Sequence, residues 1–282
     1  MPIKKIEKKR IPMPVLEKDM GGHWQVFYPE LFDQLMEEYW YAVELIDSEP
    51  KKAEKLLKKV ITATNGLHFD AVQHLGYLYN ETGKTIEGNA LIHKAHQIVL
   101  KAIPDGFNPT EEEILWLHIN NRPFLRSFHS VGLELMNEGR LDEAIDKFFF
   151  LIMVNPNDNQ GIRYLIIDCY FQLGRFEDFF KIDELYPDDY SVDFLYGKAL
   201  ALFKTNQPDK AAEQLAMAAI EFPHVLDELK KAKHVFPADE FDRPLDGIPI
   251  GSRQEAFDYW RRLGKFWDKL IDTETQQFRS KN

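Results

Sequence analysis

His93 and His96 stand three residues apart, a spacing that on a helix turns two imidazoles toward one face and supplies two ligands of a zinc-type centre. No third histidine or carboxylate stands at a matching interval, and no H-E-x-x-H string occurs, so we expect no metal site. The single cysteine, Cys169, can form neither an intrachain disulfide nor a cysteine-based metal centre, which points to a reducing cytosol. The chain has no glycine-rich phosphate loop and no G-x-S-x-G elbow, so we assign no catalytic residue and no cofactor. The chemistry left is recognition, and three arginines, Arg122, Arg126 and Arg163, carry it. A guanidinium set in an apolar pattern needs a partner. These three either pair with Asp158, Asp168 or Glu134 within the fold or receive a carboxylate from a ligand.

The elements that position these arginines are read from residues 125–158. Phe128, Val131, Gly132 and Leu135 recur at helical spacing, then Ala144, Phe148 and Leu151, with Pro156 closing the unit. Gly132 and Ala144 are small where two helix axes cross closely, and Gly139 suits the positive φ that ends a helix. This is the pattern of a tetratricopeptide (TPR) repeat, two antiparallel helices in about 34 residues. One such hairpin cannot bury its own apolar face, so neighbours are required. They are found with Val72, Leu75, Gly76 and Tyr79 ahead of Gly88, Ile92 and Ala95, and with Leu195, Ala199 and Leu202 ahead of Ala211, Leu215 and Ala218. A weaker first pair covers residues 30–60. An irregular fourth pair, 159–191, has Phe179 where a small residue belongs and Pro187 cutting its second helix short. The expected fold is all-α, a TPR-like helical-hairpin solenoid of about five helix pairs. Thr110 and Glu113 form a capping-box pattern that predicts an extra inter-repeat helix.

In TPR folds the first helices line the concave face through positions 2, 5 and 9. That count sends Asp70, Gln73 and Tyr77 into a groove, then Arg126, His129 and Leu133, then Gln160, Arg163 and Ile167, then Asp193, Tyr196 and Leu200. A basic middle at Arg126 and Arg163 suits an acidic residue or a free C-terminus of a peptide. The carboxylate clamp that grips chaperone tails needs Lys or Arg at position 5 and Asn at position 9. His129 and Leu133 stand there, so chaperone-tail binding is not supported.

Flanking the solenoid, expected over residues 30–225, are an irregular N-terminal arm (1–29) and a C-terminal extension (226–282). Residues 1–22 read as a solvated lead-in, and the aromatic run His23–Tyr28 as a lid across the first helix pair. In the extension, Ser252 and Glu255 start an amphipathic helix over 252–276. Its stripe of Ala256, Trp260, Leu263, Trp267 and Leu270, widened by Phe257, Phe266 and Ile271, is too aromatic to face water. That stripe either caps the solenoid or forms a homodimer or partner interface through Trp260 and Trp267. Lysine and arginine total 35 against 46 aspartate and glutamate, a net charge of −11, which disfavours nucleic acid and anionic membrane as partners. No run approaches the length of a transmembrane helix.

The strings Asn121-Arg122-Pro123-Phe124-Leu125-Arg126 and Asn155-Pro156-Asn157-Asp158-Asn159-Gln160-Gly161-Ile162-Arg163 resemble a group of bacterial TPR proteins of unassigned activity. The second string is also similar to one in the suppression-of-tumorigenicity-7 family. In the bacterial group a tail like Pro249-Ile250-Gly251, Glu255-Ala256 and Tyr259 follows the repeats. The resemblance spans roughly residues 69–267. It implies TPR architecture and a cytosolic bacterial setting, and it supplies no ligand. The expected function is therefore a non-enzymatic adaptor or scaffold that binds a protein or peptide segment in the groove. The alternative is a structural protein that self-associates through its C-terminal aromatic helix.

Overall fold

The computed structural model describes residues 11–237, 247–267 and 270. Residues 1–10 of the expected arm, residues 238–246 of the expected C-terminal extension, and residues 268, 269 and 271–276 of the expected last helix, Ile271 included, lie outside the described residues. The chain divides into two compact units, Met1–Ile162 and Arg163–Asn282.

The first unit opens on an antiparallel hairpin, β1 (Val15–Lys18) with β2 (Trp24–Phe27), in which Leu16 faces Val26. The short α1 (Glu30–Gln34) follows, then three helix pairs. These are α2 (Met36–Glu44) with α3 (Pro50–Ala63), α4 (Phe69–Glu81) with α5 (Thr85–Ala102), and α6 (Arg122–Asn137) with α7 (Leu141–Val154). Each pair follows the repeat logic. In α3, Pro50 sits in the first turn, and Ala53, Leu57 and Val60 form the buried stripe while the lysines between them face water. At the α6–α7 crossing the Phe148 ring lies where a Cβ on Gly132 would stand, 2.3 Å from its nearest ring carbon. Gly139 takes a φ of 75° to turn one helix into the other.

Two expectations for this unit are corrected. The N-terminal arm is not irregular throughout, because residues 15–27 form the hairpin. Of the run His23–Tyr28, Tyr28 packs on Phe32 of α1 and Phe69 of α4, but the rest does not lie as a lid on the first helix pair; the hairpin docks on the insert between α5 and α6. The fully buried Asn121 holds it there. Its Oδ1 accepts from the Val26 amide at 3.0 Å, and its Nδ2 donates to the carbonyls of Trp24 (2.9 Å) and Leu115 (3.1 Å). Glu112 accepts from the Trp24 indole at 2.6 Å and from Lys18 at 3.0 Å. The extra inter-repeat helix is a single 3-10 turn, Ile119–Asn121, later than the Thr110 signal suggested. Asn108 captures Thr110 through both its amide and its hydroxyl. The Ile114 and Trp116 amides are taken by the Val154 carbonyl and the Asn155 side chain, which removes two of the donors a helix at 110–117 would need.

The second unit holds α8 (Ile162–Gln172, whose first residue ends the first unit), α9 (Phe179–Leu185), α10 (Val192–Lys204), α11 (Pro208–Glu221), α12 (Pro223–Leu229) and α13 (Arg253–Leu263). The Asp158 carboxylate caps α8 by accepting from the Ile162 amide at 2.7 Å. The fourth pair is irregular as expected: α9 has seven residues and follows a 3-10 turn, Phe176–Asp178. The oversized Phe179 is accommodated by Gly197 of α10, where an added Cβ would lie 3.0 Å from the ring. Across the two units the described residues form five helix pairs.

Gly132→Ala tests the crossing. A helical alanine gains up to about 1 kcal/mol over glycine, and the added methyl overpacks a buried ring at a cost of about 1–3 kcal/mol. Chemical denaturation should show a net loss of about 1 kcal/mol, partly recovered in Gly132→Ala/Phe148→Leu. A more stable Gly132→Ala would refute the crossing geometry.

Candidate functional site

The first-helix face of the first unit is organised around Asp70, on the first turn of α4. Its carboxylate is 3% exposed and accepts from the Tyr39 hydroxyl at 2.6 Å and from one Arg126 guanidinium nitrogen at 3.0 Å to each oxygen. His74, one turn on, lies 3.5 Å away. Burial raises the pKa of Asp70, but the hydrogen bond and charge of His74, the Arg126 charge and the Tyr39 hydroxyl together hold it well below the usual carboxylate range. Beside this pair, Gln73 donates to the Tyr77 hydroxyl and to Ser130 Oγ, and the Tyr77 and Ser130 hydroxyls touch each other. One turn along α6, His129 accepts from Gln160 at 3.2 Å, and burial lowers its pKa to about 4, so the ring is a neutral acceptor.

Five residues assigned to the groove, Gln73, Tyr77, Arg126, His129 and Gln160, therefore fall into two polar clusters of the first unit. Gln73 is fully buried between Tyr77 and Ser130, whereas the other four are half-buried. Arg126 does not offer a free cation. It is neutralised by Asp70, a residue the sequence count had placed in the groove. The notion of a basic groove fails for the same reason at Arg163, in the second unit. Its Nε donates to Asp189 at 2.5 Å, and its guanidinium stacks on Tyr164 and Tyr186. Arg122 donates to the Trp116 carbonyl at 3.1 Å. Two of the arginines thus pair inside the fold with acids other than Asp158, Asp168 or Glu134.

Tyr196 is also corrected. It is fully buried, donates to the Phe222 carbonyl at 2.9 Å, and packs beneath Tyr259 and Trp267. Trp267 is 1% exposed and donates to the Tyr259 hydroxyl at 3.1 Å, so it presents no surface to a second chain. Trp260 is half-buried and stacked on His234 at 3.7 Å. Both tryptophans are thus engaged within the second unit. The residue that anchors them escaped the sequence reading. Arg262 grips Asp168 through two contacts of 2.9 Å, Asp193 at 2.7 Å and Asp258 at 3.1 Å. The Asp258–Arg262 spacing of one helical turn was visible; the two distant acids were not.

His93 and His96 do not converge. His93 reaches Glu134 at 3.2 Å, whereas His96 packs edge-on against Phe128 in the interior, with burial lowering its pKa to about 3. Among the described residues no group of three or more His, Cys, Asp or Glu is placed to hold a metal ion.

Residues 31–245 match the Tcf25 family model, described as transcriptional repressor TCF25. This is a different family from the suppression-of-tumorigenicity-7 group that the central strings resemble. No curated protein matches the chain. Similar solved structures include MamA AMB-1, at 20% identity and a TM-score of 0.47, covering 67% of this chain and 91% of that one. Another is the kinesin light chain-like protein of Podosopora anserina with nearly identical TPR-like repeats, at 13% identity and a TM-score of 0.48, covering 66% and 94%.

The Asp70–Arg126 pair yields a stability prediction. Arg126→Ala strands a buried carboxylate and should cost about 3 kcal/mol at neutral pH by chemical denaturation. Asp70 has a depressed folded-state pKa, so its contribution is present above its unfolded value of about 3.9 and is lost as pH falls below it. The stability gap between wild type and Asp70→Asn should therefore narrow in acid. A gap that widens below pH ~4 would contradict the assignment.

Proposed function

The chain belongs to the Tcf25 family, and from that premise we propose that it is a non-enzymatic protein-interaction module, an adaptor or scaffold, whose first unit takes a peptide or protein segment on its first-helix face. The observation that carries the reading is the state of that face. Tyr77, Arg126, His129 and Gln160 are half-buried there, each held by a hydrogen bond from within the unit, and the apolar Leu133 is 37% exposed beside them. A surface whose side chains are fixed before a partner arrives loses little rotamer freedom on binding. Because Asp70 neutralises Arg126, the partner favoured is a mixed polar and apolar segment rather than an acidic tail. The family's description, transcriptional repressor, is compatible with this. Repression through a protein contact needs no nucleic-acid surface, and a net charge of −11 supplies no basic excess to neutralise phosphates.

The buried single Cys169 fits a reducing, cytosolic setting. No helix among the described residues is long and apolar enough to cross a membrane. Self-association through the C-terminal helix is the weaker reading, because Trp267 is occupied inside the second unit.

The test is affinity capture with the full chain beside a Leu133→Asp/Gln160→Ala variant, with folding checked by circular dichroism. These two positions carry the face without carrying the fold, unlike Arg126 and Arg163. We expect a protein that the wild type retains and the variant loses by about tenfold or more. Equal capture by a folded variant would sink the first-unit face as the binding surface.

A further inference from the structure

In the second unit the first-helix face is occupied. Positions 2 and 5 of α10, Asp193 and Tyr196, are the positions that face a partner in a TPR groove, and α13 of the same unit covers both. Arg262 reaches over them to bridge Asp193 on α10 and Asp168 on α8. Tyr259 lies 5.6 Å from Tyr196, and Trp267 stands edge-on to Tyr196 and Phe203, each at 6.2 Å. These contacts read as a binding mode. A charge-assisted, two-oxygen grip on a guanidinium sets the register, and aromatic side chains one turn before it and just after the helix fill the apolar floor.

Three features mark α13 as a segment that docks rather than a repeat that stacks. Its start is self-contained: the Ser252 side chain accepts from the Glu255 amide at 3.1 Å, and the Glu255 carboxylate accepts from the Gly251 amide at 2.6 Å. At 11 residues it is too short to persist alone in water, so it gains order by docking. Its anchor is also short of positive charge: Arg262 alone serves both Asp168 and Asp193, while Asp258 is shared with Arg261. Burial, against the pull of Arg262, pushes Asp168 up to about 6, and Asp193 is raised as well. A surface with surplus negative charge has room for a more basic occupant.

We infer that the face built by α8 and α10 is a recognition site for a helix presenting an arginine between two aromatic side chains, and that α13 is its ligand in cis, displaced when a partner segment of that chemistry binds. The site is independent of the partner taken by the first unit.

The probe is a labelled peptide of residues 251–267, offered to the full-length wild type and to full-length Arg262→Met. In the wild type the tethered helix competes, which lowers apparent affinity by the fraction of chains that are open. The variant should bind the peptide at least about tenfold more tightly than the wild type does. A peptide carrying the same Arg262→Met substitution should bind neither chain. A folded variant that ignores the native peptide overturns the inference. Removing Arg262 leaves the buried Asp168 and the half-buried Asp193 without their cation, so segment-resolved hydrogen exchange on the unaltered chain gives a second reading that stands if the variant fails to fold. There α13 should exchange through a local opening at least about tenfold faster than α10 and α11. Exchange of α13 at the rate of α10 would make it an integral part of the core and overturn the proposal.

Discussion

A carboxylate buried on a first helix must find a cation, and in each unit the cation it finds decides what that face can do. Asp70 takes Arg126 from the neighbouring first helix, so the pair closes within the stack of hairpins. Asp168 and Asp193 instead take Arg262 from the C-terminal helix, which brings that helix onto the face. The same electrostatic demand is thus met within the repeats in one unit and by the C-terminal helix in the other. Buried ion pairs of this sort contribute little net stability over an apolar replacement, but breaking one is costly. They act here on register, fixing which helix lies against which.

The hairpins themselves were legible because their constraint is local. A small residue must lie where two axes cross, and Gly132 under Phe148 meets that requirement within 16 residues of sequence. The irregular fourth pair was legible for the same reason, from Phe179 and Pro187. Its remedy, Gly197, was not, since a glycine inside a helix gives no hint of which ring it will receive. The N-terminal hairpin was missed because its decisive partner, Asn121, lies 95 residues from the Val26 amide it accepts. Read alone, residues 15–27 have too short an alternation to separate a strand from an irregular lead-in.

The site was legible in part, and the division follows sequence distance. Counting positions along a first helix assigned Gln73, Tyr77, Arg126 and His129 to one groove, and the structure sets them in polar clusters of the first unit. The count could not pair them, because Arg126 meets Asp70 across 56 residues and Arg262 meets Asp168 across 94. Charge counting alone therefore left open whether Arg126 and Arg163 pair within the fold or meet a ligand, and the structure pairs them with Asp70 and Asp189. Tyr196 shows the complementary error: its position is a groove position, but the groove there is filled by Tyr259 and Trp267.

The aromatic stripe of the C-terminal helix is where these strands of argument meet. A helix bearing Tyr259 and Trp260, with Trp267 just past its end, must bury these rings, and a cap at the end of a stack would do so with apolar contacts alone. The structure does it differently, by setting Arg262 among three acids beside the aromatic floor. An apolar cap tolerates rotation about its axis, since hydrophobic contact is non-directional. A guanidinium whose Nε, Nη1 and Nη2 donate to three different carboxylates does not, because its donors are planar and fixed. The specificity of that contact exceeds what closure of a solenoid end requires, and it is of the kind that peptide-binding surfaces use to choose an occupant.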